Sequence, residues 1–152
     1  HGARAEATAV LAGLLLLSDR LDDSHRAAQS IEGAGAHRNG DYWHAILHRR
    51  EPDFGNSKYW FRSVGRHPVF PEVARAVEGL GHASSTAELG PWPHRLLERG
   101  QWQPMAFVDL CEAVGKDETS PLGCVARRIQ WIEMLLLLER SWEDAGGGSP
   151  LA

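Results

Sequence analysis

The stretch GDYWHAILHRREPDFGNSKYWFRSVGRHPVF, residues 40–70, decides the fold class of this chain. Asp41 can cap a helix over residues 42–51, and Pro52 stops that helix because the residue before a proline avoids helical backbone angles. Asn56 can then open the next helix. No alternation of apolar and polar residues with the period of a β-strand interrupts the stretch. It therefore predicts two consecutive helices.

Cap residues, prolines at first-turn positions and apolar stripes predict helices along the rest of the chain. The predicted helices cover residues 3–21, 22–32, 42–51, 56–65, 71–80, 94–99, 104–115 and 121–142, with loops over residues 33–40 and 81–90. Asp22 or Asp23 would cap the second helix, and Ser120 the last. We therefore expect an all-α fold without a sheet, a single-domain helical bundle of about six to eight helices over residues 1–145, followed by a flexible tail over residues 146–152.

The composition argues against several functional classes. A chain of 152 residues with 43% hydrophobic and 24% charged residues is typical of a globular domain that folds around its own core. Its net charge of −4 argues against binding to nucleic acid or to anionic lipid, since both depend on neutralising phosphate groups. The chain also lacks a glycine-rich loop that could cradle the phosphates of a nucleotide. We therefore expect neither a nucleic-acid partner nor a membrane partner.

The longest apolar run and the cysteines bear on localisation. Residues Ala9–Leu17 are too few to cross a bilayer, and we interpret them as part of a buried helix. A chain of this length does not need a disulfide between Cys111 and Cys124, so a reducing compartment is the simpler interpretation. We therefore expect a cytoplasmic protein. The sequence starts at His1 instead of methionine, so an N-terminal segment could be missing.

Residues 40–70 also concentrate the groups that could carry chemistry: seven of the twelve aromatic residues, three of the eight histidines and five of the sixteen Lys and Arg residues. Rings interleaved with groups that carry or exchange protons are typical of pockets for polar ligands. His44 and His48 lie four residues apart on the predicted helix, so both rings project from one face and can chelate a metal ion. Glu51 continues that face.

The preceding helix can supply a third histidine. If it packs antiparallel to the helix over residues 42–51, His25 converges on His44 and His48. Three nitrogens and an open position would suit zinc or another divalent transition metal. Other interpretations stay open, because a histidine can also act as a metal-free base or a structural hydrogen-bond partner. The zincin signature is absent, since Ala45 stands where that motif requires glutamate.

Cationic and aromatic side chains around these histidines could hold a substrate. Guanidinium groups match anions bidentately, although a charged helix end is often only solvated or paired with neighbouring carboxylates. Aromatic rings can wall a pocket, but at helical spacing they are more often core. Glu133 lies near the apolar stripe of the last helix and could be a buried carboxylate facing the site or a residue at the stripe's edge. His67 is ambiguous, and His37, His82 and His94 receive no role.

The predicted site has three groups of members. The catalytic candidates are His44, His48, Glu51 and Asp53; the substrate-binding candidates are Trp43, Arg49, Arg50, Lys58, Tyr59, Trp60 and Arg62; and the metal ligands are His25, His44 and His48.

The quoted stretch, preceded by DDSHRAAQ, resembles a family of uncharacterised bacterial and fungal proteins that carry a similar tryptophan-histidine and HRREPD block. The resemblance covers about residues 22–70. It implies no activity, but it implies that the block acts as one unit.

From these residues we predict a small α-helical enzyme that acts on a polar, anionic small molecule through a histidine-rich pocket, with a divalent transition metal such as zinc as a candidate cofactor. Two alternatives come from other classes. One is a non-catalytic module that binds a small molecule or a metal, and the other is a structural or protein-interaction domain.

Overall fold

The structure, a computed structural model, describes residues 2–83 and 86–148. Helices dominate these residues, with one short hairpin. The helices are α1 (Gly2–Leu17), α2 (Leu21–Gln29), α3 (Asn39–Arg50), α4 (Phe54–Val64), α5 (Phe70–Ala83), α6 (Thr86–Leu89), α7 (Trp92–Leu96), α8 (Pro104–Val114) and α9 (Pro121–Asp144), and the strands are β1 (Leu97–Glu98) and β2 (Gln101–Trp102). The all-α prediction is confirmed.

The chain divides into two compact units, and the division falls within α9. The first unit comprises His1–His67 and Met134–Ala152, and the second comprises Pro68–Glu133. The prediction of a single domain over residues 1–145 stays a prediction. Most of the predicted tail over residues 146–152 lies outside the described residues, as do residues 84 and 85 of the predicted loop.

The core of the first unit forms where α1, α2 and α4 pack against α3. Trp43 of α3 is fully buried, and its ring lies against Gly13 of α1, where an added Cβ would stand 2.5 Å from a ring carbon. The indole N–H of Trp43 donates to Ser141 Oγ of α9 at 3.1 Å. A small residue on α1 therefore makes room for the largest side chain of α3.

Three helix starts in the first unit differ from the prediction. Arg38, in the left-handed region with φ of 56°, precedes α3, and Asp41 does not cap this helix. The Asp41 carboxylate instead accepts hydrogen bonds from Gly33 N and from Ser63 Oγ, each at 3.0 Å. Asp53, and not Asn56, caps α4, because its carboxylate accepts from the backbone N–H of Asn56 at 3.4 Å.

The second helix also starts differently. It begins at Leu21 after Arg20, which makes no side-chain cap, so the predicted caps Asp22 and Asp23 lie in its first turn instead.

The second unit holds a hairpin that the sequence analysis missed. Leu97 pairs with Trp102 and Glu98 with Gln101 in antiparallel register. Arg99 and Gly100 connect the strands with φ of 54° and 74°, and positive φ at both positions is the requirement of a tight two-residue hairpin turn. The predictions of a helix over residues 94–99 and of a fold without a sheet are wrong here, because the turn ends the helix at Leu96.

The cap of the last helix lies where it was predicted. Ser120 caps α9 as predicted, since its Oγ accepts from Gly123 N at 3.0 Å. Cys111 and Cys124 do not form a disulfide. Among the described residues, no helix has both the length and the hydropathy needed to cross a bilayer.

Candidate metal centre

Three histidines from two helices meet in the first unit. The rings of His44 and His48 on α3 are stacked, with centroids 4.8 Å apart and an angle of 21° between their planes. The ring of His25 on α2 lies nearly edge-on to both, 4.7 Å from His44 and 5.4 Å from His48. One nitrogen from each ring lies within 4.8 Å of the other two. The predicted convergence of the three rings is confirmed.

Two buried serines hold the helices that carry these rings. Ser24, next to His25, donates to the carbonyl of Ala12 at 2.8 Å and so fixes α2 against α1. Ser57 donates to the carbonyl of Ala45 at 2.7 Å and fixes α4 against α3. Ser24 is the neighbour of His25, and Ala45 is the neighbour of His44. Hydrogen bonds, as well as packing, therefore fix the backbone that carries these two rings.

His44 is a buried polar side chain without a hydrogen-bond partner. It is 2% exposed, and neither its Nδ1 nor its Nε2 makes a hydrogen bond. Buried polar groups in folded proteins nearly always have a partner, because an unpaired one loses its hydration without replacement. His44 therefore offers a lone pair to a further group at the centre of the cluster.

His48, a member of the cluster, also lies next to two carboxylates. It is 7% exposed, and its Nδ1 lies 3.3 Å from Oε2 of Glu51 and 3.8 Å from Oδ2 of Asp53. The contact with Glu51 is close enough for an ion pair with a protonated ring, although it lacks the geometry of a hydrogen bond. Glu51 and Asp53 themselves are exposed.

Burial disfavours the charged forms of His44 and His48. Burial, together with smaller contributions from the neighbouring His48 and His25, lowers the pKa of His44 to about 3. Burial also lowers the pKa of His48, whereas the carboxylates of Glu51 and Asp53 raise it. A neutral imidazole is the form that binds a metal ion, so these two rings are ready to act as ligands at neutral pH.

Trp60 of α4 covers one side of the cluster. Its ring stacks on that of His44 with centroids 3.9 Å apart and an angle of 17°. Tyr59, its neighbour, is 54% exposed and touches Trp60 edge-on. Of the two predicted pocket aromatics on α4, Trp60 therefore lies at the histidines and Tyr59 lies at the surface.

Three other predicted substrate-binding residues have contacts elsewhere in the first unit. Trp43 is in the core. Arg50 donates to the carbonyl of Leu16 at 2.7 Å and pairs with Asp19, so it joins α3 to the end of α1. Arg49 is buried, with its guanidinium carbon 6.0 Å from the centre of the Phe61 ring.

Lys58 and Arg62 stand two residues before and after Trp60 on α4. Two residues along a helix correspond to about 200° around its axis, so both point away from the side that Trp60 turns toward His44. Lys58 is half-buried and Arg62 is exposed. By helix register the two cations therefore lie on another side of α4 from Trp60, and their role in binding an anion stays a prediction.

Sequence reasoning missed a second polar cluster in the same unit. Asp144, near the end of α9, accepts from His37 Nδ1 and from Asn39 Nδ2, each at 2.8 Å, and pairs with Arg140. Asn39 Oδ1 lies 2.8 Å from His67 Nε2. His37 and Asp144 are 107 residues apart, so no local spacing could have indicated this contact.

The pKa values of two residues in the cluster around Asp144 are shifted from their ordinary values. Burial raises the pKa of Asp144, but hydrogen bonds from Arg140, His37 and Asn39 outweigh it and lower the pKa to about 2. Burial lowers the pKa of His67 to about 4. The cluster therefore combines an ionised carboxylate with a neutral buried imidazole at pH 7.

Glu133, the other carboxylate considered from the sequence, is fully buried and belongs to the second unit. Its place in the site stays a prediction. Comparison of the chain with known protein families, with curated proteins and with solved structures finds no match.

Proposed function

We propose that His25, His44 and His48 bind one divalent transition-metal ion such as zinc. The observation that carries this proposal is His44, which is buried with both ring nitrogens unpaired beside two further imidazoles. Zinc bound to three imidazoles at about 2.0 to 2.1 Å holds the nitrogens roughly 3.3 Å apart. The ligand nitrogens lie within 4.8 Å of one another, so metal binding would require them to move closer and the stacked rings of His44 and His48 to turn toward one point.

The number and charge of the ligands favour an enzyme. Structural zinc sites use four protein ligands, whereas catalytic sites use three and keep a position for water or substrate. Three neutral imidazoles leave the double positive charge of the ion uncompensated, so the open position attracts an anion and acidifies a bound water. The proposed activity is therefore metal-assisted chemistry on a polar, anionic small molecule.

One observation favours the alternative of a non-catalytic metal-binding module. His44 and His48 are both buried and Trp60 covers His44, so the half-buried His25 is the most accessible ring of the three. Buried ligand rings would suit a site that holds an ion without admitting a substrate.

Zinc titration of the full chain tests the metal site. Metals are first removed with a chelator, and zinc is then added back. We expect elemental analysis to find one zinc ion per chain, and competition with a chromophoric chelator to give a measurable affinity. His44→Phe keeps a ring against Trp60 but removes both nitrogens, so it should fold and lose at least 100-fold in zinc affinity. His94→Phe changes an exposed histidine outside the cluster and is the matched control. Equal zinc affinity in both variants would refute the proposal.

Cobalt substitution distinguishes the proposed enzyme from the alternative of a non-catalytic metal-binding module. If the fourth position is open, azide should bind to the cobalt-loaded protein and shift its visible absorption bands in a saturable way. A spectrum that stays the same up to high azide concentration would favour the closed, non-catalytic module.

A further inference from the structure

The second unit contains a cavity that the proposed metal site does not involve. Its volume is about 650 Å³, and all of its lining residues lie within Pro68–Glu133. Side chains from five helices form its interior: Val77 of α5, Leu89 of α6, Leu96 of α7, Leu110 of α8 and Ile129 of α9. Protein interiors are close-packed and rarely contain voids much larger than a water molecule. A volume of this size is in the range of small-molecule binding sites.

Polar contacts fix the walls around the cavity mouth. Trp92 of α7 lines the cavity, and the guanidinium of Arg95 lies 4.1 Å from the centre of its ring. Arg95 in turn pairs with Asp109 of α8 at 3.3 Å. Gly100, in the hairpin turn that follows α7, also lines the cavity. The walls are therefore held in place by contacts among themselves.

The lining residues specify the chemistry of a ligand. Arg75, Glu78 and His94 carry the charged or titratable side chains of the lining, and all three are exposed. The deeper lining residues are aliphatic, so a charge buried there would lose its hydration without gaining a partner. Arg75 and Glu78 lie one turn apart on α5 with opposite charges. Together they give the mouth no net preference for a cation or an anion.

We propose that this cavity binds an uncharged, largely hydrocarbon small molecule whose single polar group stays at the mouth, near Arg75, Glu78 and His94. Glu78 disfavours a carboxylate head group, and Arg75 disfavours an ammonium head group. A hydroxyl, ester or amide can instead exchange hydrogen bonds with either side chain.

Binding of the neutral fluorescent probe N-phenyl-1-naphthylamine to the full chain tests this inference. We expect saturable binding to one site, with displacement by 1-decanol at concentrations at least tenfold below those needed for decanoate or decylamine. Saturable binding should persist in His44→Phe, because the cavity and the histidines belong to different units. Failure of the metal proposal would therefore leave this result unchanged.

Two variants place a ring inside the cavity from two different helices. Ala74→Phe on α5 and Val125→Phe on α9 should each weaken probe binding at least tenfold, with folding checked by circular dichroism. Ala76→Phe makes the same change two residues away, at a position that does not line the cavity, and should bind like the unaltered chain. Absent or unsaturable binding, unchanged affinity in a folded cavity variant, or preferential displacement by a charged amphiphile would each overturn the proposal. If neither cavity variant folds, the displacement series on the unaltered chain decides.

Discussion

At the scale of single residues, the proposed metal site would give Glu51 the role of a carboxylate that orients a ligand ring. His48 Nδ1 lies 3.3 Å from Glu51 Oε2, so the other ring nitrogen would be the one offered to the proposed ion. Such a carboxylate fixes the ring and makes the ligand nitrogen more basic. We expect Glu51→Gln to weaken zinc binding by about 10-fold to 100-fold in the chelator competition, because the amide removes the negative charge.

Asp53→Asn is the matched control for that change. Asp53 is farther from His48 Nδ1, at 3.8 Å, and asparagine replaces aspartate well as a helix cap, so α4 should stay intact. We expect a smaller loss of zinc affinity than for Glu51→Gln. Equal losses in the two variants would show that general negative charge near the cluster, and not orientation by Glu51, sets the affinity.

The histidines and the arginines of the predicted site show which residues can be predicted from spacing. The four-residue separation of His44 and His48 fixes a common helix face, and the structure has the two rings stacked there. Arg50 could not be interpreted in this way. Its partners, the Leu16 carbonyl and Asp19, lie more than thirty residues earlier and become neighbours only when α1 packs on α3.

At the scale of helices, the contact between Gly13 and Trp43 makes α1 sensitive to one methyl group. Gly13→Ala gains helix propensity, but the new Cβ would stand 2.5 Å from a carbon of the Trp43 ring, whose N–H is bonded to Ser141. Because Trp43 is fully buried, the ring cannot move out into solvent. We expect the free energy of unfolding to fall by about 1 to 2 kcal/mol in urea titrations, because overpacking outweighs the gain in propensity.

Gly55→Ala is the control within the same unit. Gly55 is exposed near the start of α4, and an added Cβ there meets no atom within 4 Å. We expect a stability that is unchanged or up to about 1 kcal/mol higher, because alanine limits the freedom of the unfolded chain. A Gly13→Ala variant as stable as Gly55→Ala would mean that α1 and α3 adjust to the extra methyl group.

The start of α9 was predictable because its cap acts through neighbouring residues. Ser120 caps α9 through Gly123, three residues later, and the sequence shows that relationship directly. Asp41 was misjudged because its partners, Gly33 and Ser63, come from elsewhere in the unit. The hairpin was missed because its strands have two residues each, too few to show an alternating pattern.

At the scale of the whole molecule, the cluster around Asp144 joins distant parts of the chain. It links the segment before α3, the segment after α4 and the last turn of α9 through His37, Asn39 and His67. Sequence analysis gave His37 no role and left His67 ambiguous, because the contacts that define both residues form only in the folded chain. Such a cluster makes stability depend on the charge state of its buried members.

His67 should make the protein sensitive to mild acid. Burial lowers its pKa in the folded chain to about 4 from an ordinary value of 6.5; His37 and Arg140 act in the same direction, and Asp144 opposes them. Below pH 6.5 the unfolded chain takes up a proton that the folded chain refuses until about pH 4. Stability is therefore complete above pH 6.5 and decreases as pH falls toward 4, by about 3 kcal/mol from this residue alone.

Urea titrations of the metal-free chain between pH 7.5 and 4.5 measure this effect. His67→Gln keeps a group that can donate to Asn39 but does not titrate, so its stability should change less over this range than that of the unaltered chain. His44 contributes in the same direction in both proteins and cancels in the comparison. The Asp144 carboxyl, with a pKa of about 2, should stay ionised in the folded chain over this range.

His94→Gln removes an exposed histidine and should keep the full acid sensitivity. If His67→Gln loses as much stability on acidification as His94→Gln does, His67 is not the group that titrates, and the acid response belongs to His44 and His48 of α3.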